Sequence, residues 1–391
     1  MSKSLPEDPL IRSLVSAARK AQISRRGMLL GTAGTIGAAS AVSLTACAPS
    51  GESLNWANWS SYIDEDEDGN YPTLDRFEEE SGLRVNYRID VDDNNTYYAK
   101  VKDQLAKGED IGADVVCLTD WMVSRLIREG YTQKFDHKKL PNAKNLKETL
   151  RNPDFDPGRT NSLPWQGGFA GLCWNKEKYP KGLKSVEDLW DADLKGRVGV
   201  LSEMRDTIGL IMAEQGVDIS SDFTAEDFEK AVDLFREKVE SGQIRNIKGN
   251  SYLEDLKNED TIAAIVWSGD VTVINAEAGD KWEFVIPETG GTLWNDNFVI
   301  PTGTKKQKDV EKLIDYYYQP DVAAEVAAWV NYITPVVGAQ AEAEKIDPEL
   351  AENQLIFPND ETLAKVKVFR ALNADEEQSF GDLFQSVLLG A

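Results

Sequence analysis

Gly290-Gly291-Thr292-Leu293-Trp294-Asn295-Asp296-Asn297-Phe298-Val299-Ile300-Pro301 is an extended stretch whose second half turns apolar. Strand side chains alternate with a period of two, so Trp294 and Asp296 project to the same side. An aromatic face beside a carboxylate suits an organic cation: the ring attracts the charge and covers methylenes, and the acid neutralises an ammonium. The same residues also describe an ordinary strand with one core tryptophan and one solvated acid.

The flanking chain has the rhythm of an α/β fold with largely parallel sheets, short apolar strands alternating with longer helical stretches. Strands are expected at Leu54–Trp59, Leu83–Tyr87, Asp114–Leu118, Arg197–Leu201, Ile262–Trp267, Trp282–Pro287 and Leu293–Pro301. Helical spacing of apolar residues predicts helices at Tyr71–Ser81, Thr96–Lys107, Asp120–Arg128, Thr207–Gln215, Ala225–Ser241, Val310–Tyr318 and Asp321–Trp329, several closed by glycine. The stretch from Ser162 to Trp174 mixes a proline and three glycines with strand-forming residues, the mark of a chain that bends while crossing between domains. No internal repeat interrupts it.

The chain has 391 residues, enough for two domains, and a formal net charge of −24, which argues against nucleic-acid binding and favours cationic ligands. Residues 1–46 read as an export signal: Ser24-Arg25-Arg26-Gly27-Met28-Leu29-Leu30 resembles the twin-arginine motif, and Leu44-Thr45-Ala46-Cys47 resembles a lipobox. Cleavage would leave Cys47 as the lipid-carrying N-terminus, followed by a tether over 47–53. A single membrane-spanning anchor is the rival, weakened by the many Gly, Ser and Thr of the run. Six basic and two acidic side chains leave with the signal, so the remainder is more acidic still. Cys117 and Cys173 both sit in apolar runs, where buried free thiols are the usual finding, although an oxidising compartment permits a disulfide.

His137 is the only histidine and lies in a polar loop, which removes most triad, acid–base and zinc arrangements. Phosphate loops and CxxC motifs are absent. What recurs is an aromatic or acidic residue in the segment after a strand: Trp59 and Tyr62; Thr119, Asp120 and Trp121; Glu203 and Asp206; Trp267 and Asp270; Trp294 and Asp296. Ligand crevices of open α/β sheets lie beyond the carboxyl ends of the strands, so these residues can converge on one cleft. Each also has a structural reading. Glu203 and Asp206 can complement the start of the helix near Thr207, Asp120 can cap its helix, Asp270 can cap Val271–Ala278, and Trp59 and Trp267 can be core.

Asn58-Trp59 with Tyr62, Arg128-Glu129-Gly130, Ser185–Trp190 with Leu194-Lys195-Gly196, Trp267-Ser268-Gly269-Asp270, the opening stretch and Tyr332-Ile333-Thr334-Pro335 together resemble the spermidine/putrescine-binding proteins of bacterial ABC importers. The resemblance spans nearly the whole mature chain. It implies a type II periplasmic-binding-protein fold, α/β, each lobe a mixed sheet flanked by helices, with a hinge between lobes. Lobe 1 is expected at 54–168 and 298–335, and lobe 2 at 169–297 and 336–391. It further implies that Trp59, Tyr62, Trp267, Trp294 and Tyr332 box the methylenes, that Glu203, Asp206 and Asp296 bind amines, and that Thr119 adds a hydroxyl. Asp270 matches an acid of putrescine-binding members. Trp121 stands where members commonly have Tyr, and a C-terminal Gln contact of spermidine binders has no clear match, the nearest region holding Phe369 and Arg370, an arginine that would repel a cation if it faced the site.

The function so implied is capture of a putrescine- or spermidine-like polyamine at the outer face of the cytoplasmic membrane, for delivery to a permease with a separate ATPase. It needs no cofactor, metal, enzyme activity or nucleic acid, and the protein is expected to be a monomer held to the membrane by its lipid alone. Two alternatives stand: a binder of another amine or a neutral solute on the same fold, and a secreted glycosidase using paired carboxylates.

Overall fold

The computed structural model describes residues 53–66 and 68–390. The expected signal peptide, Cys47 and most of the tether lie outside the described residues. Among the described residues ten strands form one continuous sheet: β1 (Leu54–Trp59), β2 (Val85–Val91), β3 (Val115–Thr119), β4 (Ser162–Asn175), β5 (Val198–Leu201), β6 (Ile244–Lys248), β7 (Ala263–Trp267), β8 (Trp282–Val285), β9 (Gly291–Val299) and β10 (Val366–Lys367). Their order is β2-β1-β3-β9-β4-β7-β5-β6, with β10 on β9 and β8 on β4.

Side chains on this sheet pack into two separate cores. The first gathers β1 and β3 with Phe298, Val299 and Ile300 of the returning chain and the helices Gln307–Tyr317 and Pro320–Val330. An aromatic cluster sits at its centre, with Trp56, Trp165 and Phe298 ring centroids 4.9–5.6 Å apart. Each such buried ring contributes about 2–3 kcal/mol of transfer free energy. The second core gathers β5 and β7 with the helices Met204–Glu214, Ala225–Glu240 and Ala374–Leu388. The helix Ala225–Glu240 starts where Thr224 and Asp227 exchange side-chain-to-backbone hydrogen bonds, and Phe228, Ala231, Val232 and Phe235 form its buried stripe.

Two long strands join the cores. Near one end β4 pairs Ser162 with Val299 and Leu163 with Phe298; after an irregularity between Pro164 and Gly167, it pairs Gly168 with Trp294 and Ala170 with Thr292. β4 and β9 thus cross together, antiparallel, and two of the three glycines expected to bend the chain, Gly167 and Gly168, lie at that break, while Gly171 sits in the regular ladder with β7. The sheet is mixed, as the resemblance implied, and less uniformly parallel than the strand–helix rhythm suggested, which is a first correction. Parallel pairing holds for β1–β2, β1–β3, β5–β6, β5–β7 and β9–β10, but the strands that cross run against their neighbours β3 and β7, because each enters from the opposite core.

A second correction concerns the C-terminal third. Val336, Ala339, Ala343, Ala351, Ile356 and Phe357 pack in the first core, whereas residues from 336 onward were expected in the second. The chain joins the second core only at Phe369. Amphipathic spacing tells that a helix has a buried face but not which core covers it. Cys117 lies in the first core and Cys173 in the second, both buried and free. Among the described residues no helix is long and apolar enough to cross a membrane.

Candidate functional site

The carboxyl ends of β1, β3, β5 and β7 face one another across the crossing strands, and a cavity of about 160 Å³ opens between them. All eleven residues singled out from sequence line it: Trp59, Tyr62, Thr119, Trp121, Glu203, Asp206, Trp267, Asp270, Trp294, Asp296 and Tyr332. Such a space accepts a small flexible molecule or about ten waters.

The aromatic residues form a connected wall. Ring centroids of Trp59 and Trp267 are 6.3 Å apart, Trp267 and Trp294 6.4 Å, Trp294 and Tyr332 5.2 Å, and Tyr332 and Tyr62 5.6 Å, all near edge-to-face. Bare glycines let this wall form. A Cβ on Gly168 would come within 2.5 Å of the Trp294 ring, and one on Gly269 within 2.8 Å of the Tyr332 ring. Trp59 is both wall and core: it is 6 % exposed and its Nε1 donates to the Cys117 carbonyl at 3.0 Å.

The acids differ in how far the protein satisfies them. Asp206 accepts from Trp267 Nε1 at 2.8 Å and from the Thr292 hydroxyl. Asp270 accepts from Tyr252 at 2.6 Å and Tyr332 at 2.8 Å, so it does not cap the helix, which begins at Ser268. Asp296 accepts from Tyr62 at 2.9 Å through one oxygen. Its other oxygen, Oδ1, is buried and receives no well-formed hydrogen bond among the described residues, although the Thr119 hydroxyl is close enough to pull the carboxyl down; Trp294 Nε1 is likewise buried without a partner among them. Burial pushes the Asp296 carboxyl up to about 7, and the Asp120 and Asp206 carboxylates add to the rise. Burial likewise raises Asp206 and Asp270.

Glu203 has a double role. Its side chain accepts from the Arg205 N–H at the start of the helix Met204–Glu214, and it reaches across to Asn94 Nδ2 at 3.4 Å. Enclosure raises its carboxyl to about 8, against the pull of Arg205. The helix begins earlier than Thr207, which places Asp206 in its first turn. Asp120 is the first residue of its helix rather than the cap, a position held by Thr119; its carboxylate accepts from Asn297 Nδ2 at 2.6 Å.

Sequence reasoning missed several residues. Arg205 is buried in the lining, its guanidinium 4.0 Å over the Trp121 ring, with Glu377 at 3.7 Å and Glu203 at 4.0 Å. Trp121 therefore faces an internal cation. Glu377, on the C-terminal helix, also holds Arg125 at 3.5 Å and Arg128 at 2.5 Å. Arg370 lines the cavity too, but Glu376 binds it at 2.8 Å and it lies 4.1 Å over the Phe223 ring. Tyr252 reaches Asp270 from beyond the lining. The adjacency of Arg205 to Glu203 and Asp206 was the one signal available.

Loops of the two cores also meet beside the cavity. Asn250 and Ser251 donate backbone N–H groups to the Asp92 carbonyl (3.3 Å) and carboxylate (3.2 Å), Asn250 Nδ2 donates to Ser60 Oγ at 3.2 Å, and Ser202 Oγ to Asp93 Oδ2 at 2.8 Å. Gly249 lies so close that a Cβ there would stand 2.4 Å from the Asp92 carbonyl oxygen. Among the described residues, no cluster of His, Cys, Asp and Glu is arranged to hold a metal.

The profile of bacterial extracellular solute-binding proteins matches residues 73–357. The spermidine/putrescine-binding periplasmic protein of Salmonella typhimurium is 29% identical over 317 residues, covering 80% of this chain and 85% of that one. The putrescine-binding periplasmic protein PotF of Escherichia coli is 28% identical, covering 84% and 90%. A solved structure titled a putative spermidine/putrescine ABC transporter, from Listeria monocytogenes, superposes with a TM-score of 0.75 at 25% identity, covering 87% of this chain and 99% of its own. The Tp0655 lipoprotein of Treponema pallidum superposes at 0.70 with 20% identity, covering 86% and 99%. With two cores joined by crossing strands around one cavity, the chain has the two-lobed periplasmic-binding-protein fold and belongs to the bacterial extracellular solute-binding protein family.

Proposed function

We propose that this protein captures a polyamine outside the cytoplasm, encloses it between the lobes and hands it to a membrane permease driven by a separate ATPase. One observation carries the reading: beside an aromatic wall, Asp296 keeps a buried carboxylate oxygen that no cation and no well-formed hydrogen bond reaches among the described residues. A lone buried acceptor of this kind is costly in an apolar setting, and an ammonium satisfies its charge and its hydrogen bonding at once. Asp206, Asp270 and Asp296 have no ion-pair partner among the described residues, which gives a ligand cation its counter-charge. In this reading Trp59, Tyr62, Trp267, Trp294 and Tyr332 cover methylenes, and Thr119 adds a polar contact.

The names of the relatives agree with a polyamine rather than with a sugar for hydrolysis. On this view lobe 1 comprises 54–166 and 296–357, lobe 2 comprises 170–294 and 366–390, and β4 and β9 are the hinge. Export by the twin-arginine route, lipid attachment at Cys47 and a monomeric state complete the proposal. A thermal-shift and calorimetric screen across putrescine, spermidine, spermine, betaines and sugars tests it. Saturable binding of a polyamine is expected. Binding confined to neutral solutes refutes it.

A further inference from the structure

We propose that Arg205 limits ligand length, so that the site takes a diamine and turns away a triamine; this rests on the polyamine reading above. The cavity lining divides chemically. One part carries Asp206, Asp270 and Asp296, held by tryptophan, threonine and tyrosine donors and paired with no cation among the described residues. The other part already contains its cations. Arg205 lies in the first turn of the helix Met204–Glu214, and its guanidinium rests 4.0 Å over the Trp121 ring, where a ligand ammonium or methylene would otherwise stack.

The acids on that side are engaged as well. Glu203 stands 4.0 Å from Arg205, and buried Glu377 faces three guanidiniums, those of Arg125, Arg128 and Arg205. Arg205 shares Glu377 with Arg125 and Arg128 and stands 4.0 Å from Glu203, so a guanidinium charge stays fixed on that side of the cavity. Arg370, also in the lining, adds no free acid, since Glu376 is its partner. A chain that fills the acidic part and extends towards Trp121 brings a further ammonium against a fixed like charge in an enclosed space, a repulsive element that selects against the longer ligand. Arg205 acts here as a specificity-determining residue.

The test is calorimetric titration of the full chain with putrescine and with spermidine, on wild type, Arg205→Gln, Arg205→Met and Arg205→Lys. Glu377 keeps Arg125 and Arg128 as partners in every variant, and the methionine variant keeps an apolar contact with Trp121 should glutamine fold poorly. Wild type is expected to prefer putrescine by roughly tenfold or more, Arg205→Lys to keep that preference, and the Gln and Met variants to narrow it by roughly tenfold through a gain in spermidine affinity. Equal or tighter binding of spermidine by wild type, or an unchanged ratio in the Gln and Met variants, overturns the assignment while leaving polyamine binding intact. Failure of wild type to bind either amine overturns the polyamine reading and this inference with it.

Discussion

Replacing Asp296 by Asn is expected to move affinity and stability in opposite directions. Asn keeps an acceptor for the Tyr62 hydroxyl, now 2.9 Å away, but removes the charge. Two unit charges about 4 Å apart at an effective dielectric near 20 attract by about 4 kcal/mol. Part of this offsets desolvation of the ammonium, so a net loss of about 2–4 kcal/mol is expected, a rise in Kd of roughly 30- to 1000-fold for putrescine or spermidine. Without ligand the effect reverses. Burial holds the Asp296 carboxyl up to about 7, so at pH 8 the folded protein carries a charge that the unfolded chain carries more easily. That penalty is about 4 kcal/mol at most, and Asn removes it, so the ligand-free variant should melt a few degrees higher. Calorimetric titration and a melting scan at pH 8 measure both quantities. Affinity within about threefold of wild type, in a variant that folds, refutes Asp296 as an ammonium partner.

Gly249→Ala would press a Cβ to 2.4 Å from the Asp92 carbonyl oxygen and force the loops beside the cavity apart by about 1 Å. Ligand dissociation should quicken by about tenfold in stopped-flow measurements, with no residue of the proposed cation site altered. Glu203, raised to about 8, and Asp296, raised to about 7, make the folded ligand-free protein bind more protons than the unfolded chain. Its melting temperature should therefore fall as pH rises from about 5 to 8.5, while polyamine affinity increases as the acids ionise. A calorimetric pH series in which ligand-free stability rises over that window would contradict this. Asp191 and Asp218, lowered to about 2, act only below it. Cys47→Ser should shift the protein from the membrane fraction to the soluble fraction in cell fractionation, since the thiol is the proposed lipid acceptor.

The residues legible in the sequence share one property: their place follows from a local rule. A strand end in an α/β sheet points towards the crevice, so naming the residue after each apolar run was enough to find Trp59, Thr119, Glu203, Trp267 and their neighbours. Period two put Trp294 and Asp296 on one side, and the cavity receives both. Arg205, Glu377 and Tyr252 were illegible because their partners come from elsewhere in the chain. Trp121 and Arg205 meet only when the two cores face each other, and Glu377 joins them from the last helix. Asp120 and Asp270 passed for helix caps by position, yet their carboxylates turn to Asn297 and to two tyrosines instead. The same limit misplaced residues 336–357: an apolar stripe is written in the sequence, while the surface that covers it is decided by the rest of the fold.

Trp294 and Asp296 stand on β9, one of the two strands that tie the lobes together, opposite the break in β4. In most levers the load and the fulcrum are separate points; here they share a backbone. A substitution on β9 chosen to suit a new ligand also changes the torsional stiffness of the joint, so it alters how readily the lobes swing as well as what they hold. Freedom to drift towards other amines is greater at the helix starts after β5 and β7, where Glu203, Asp206 and Asp270 reach the cavity without carrying the joint. Relatives that differ in ligand should therefore vary there first and leave the tryptophan–aspartate pair of the axle in place.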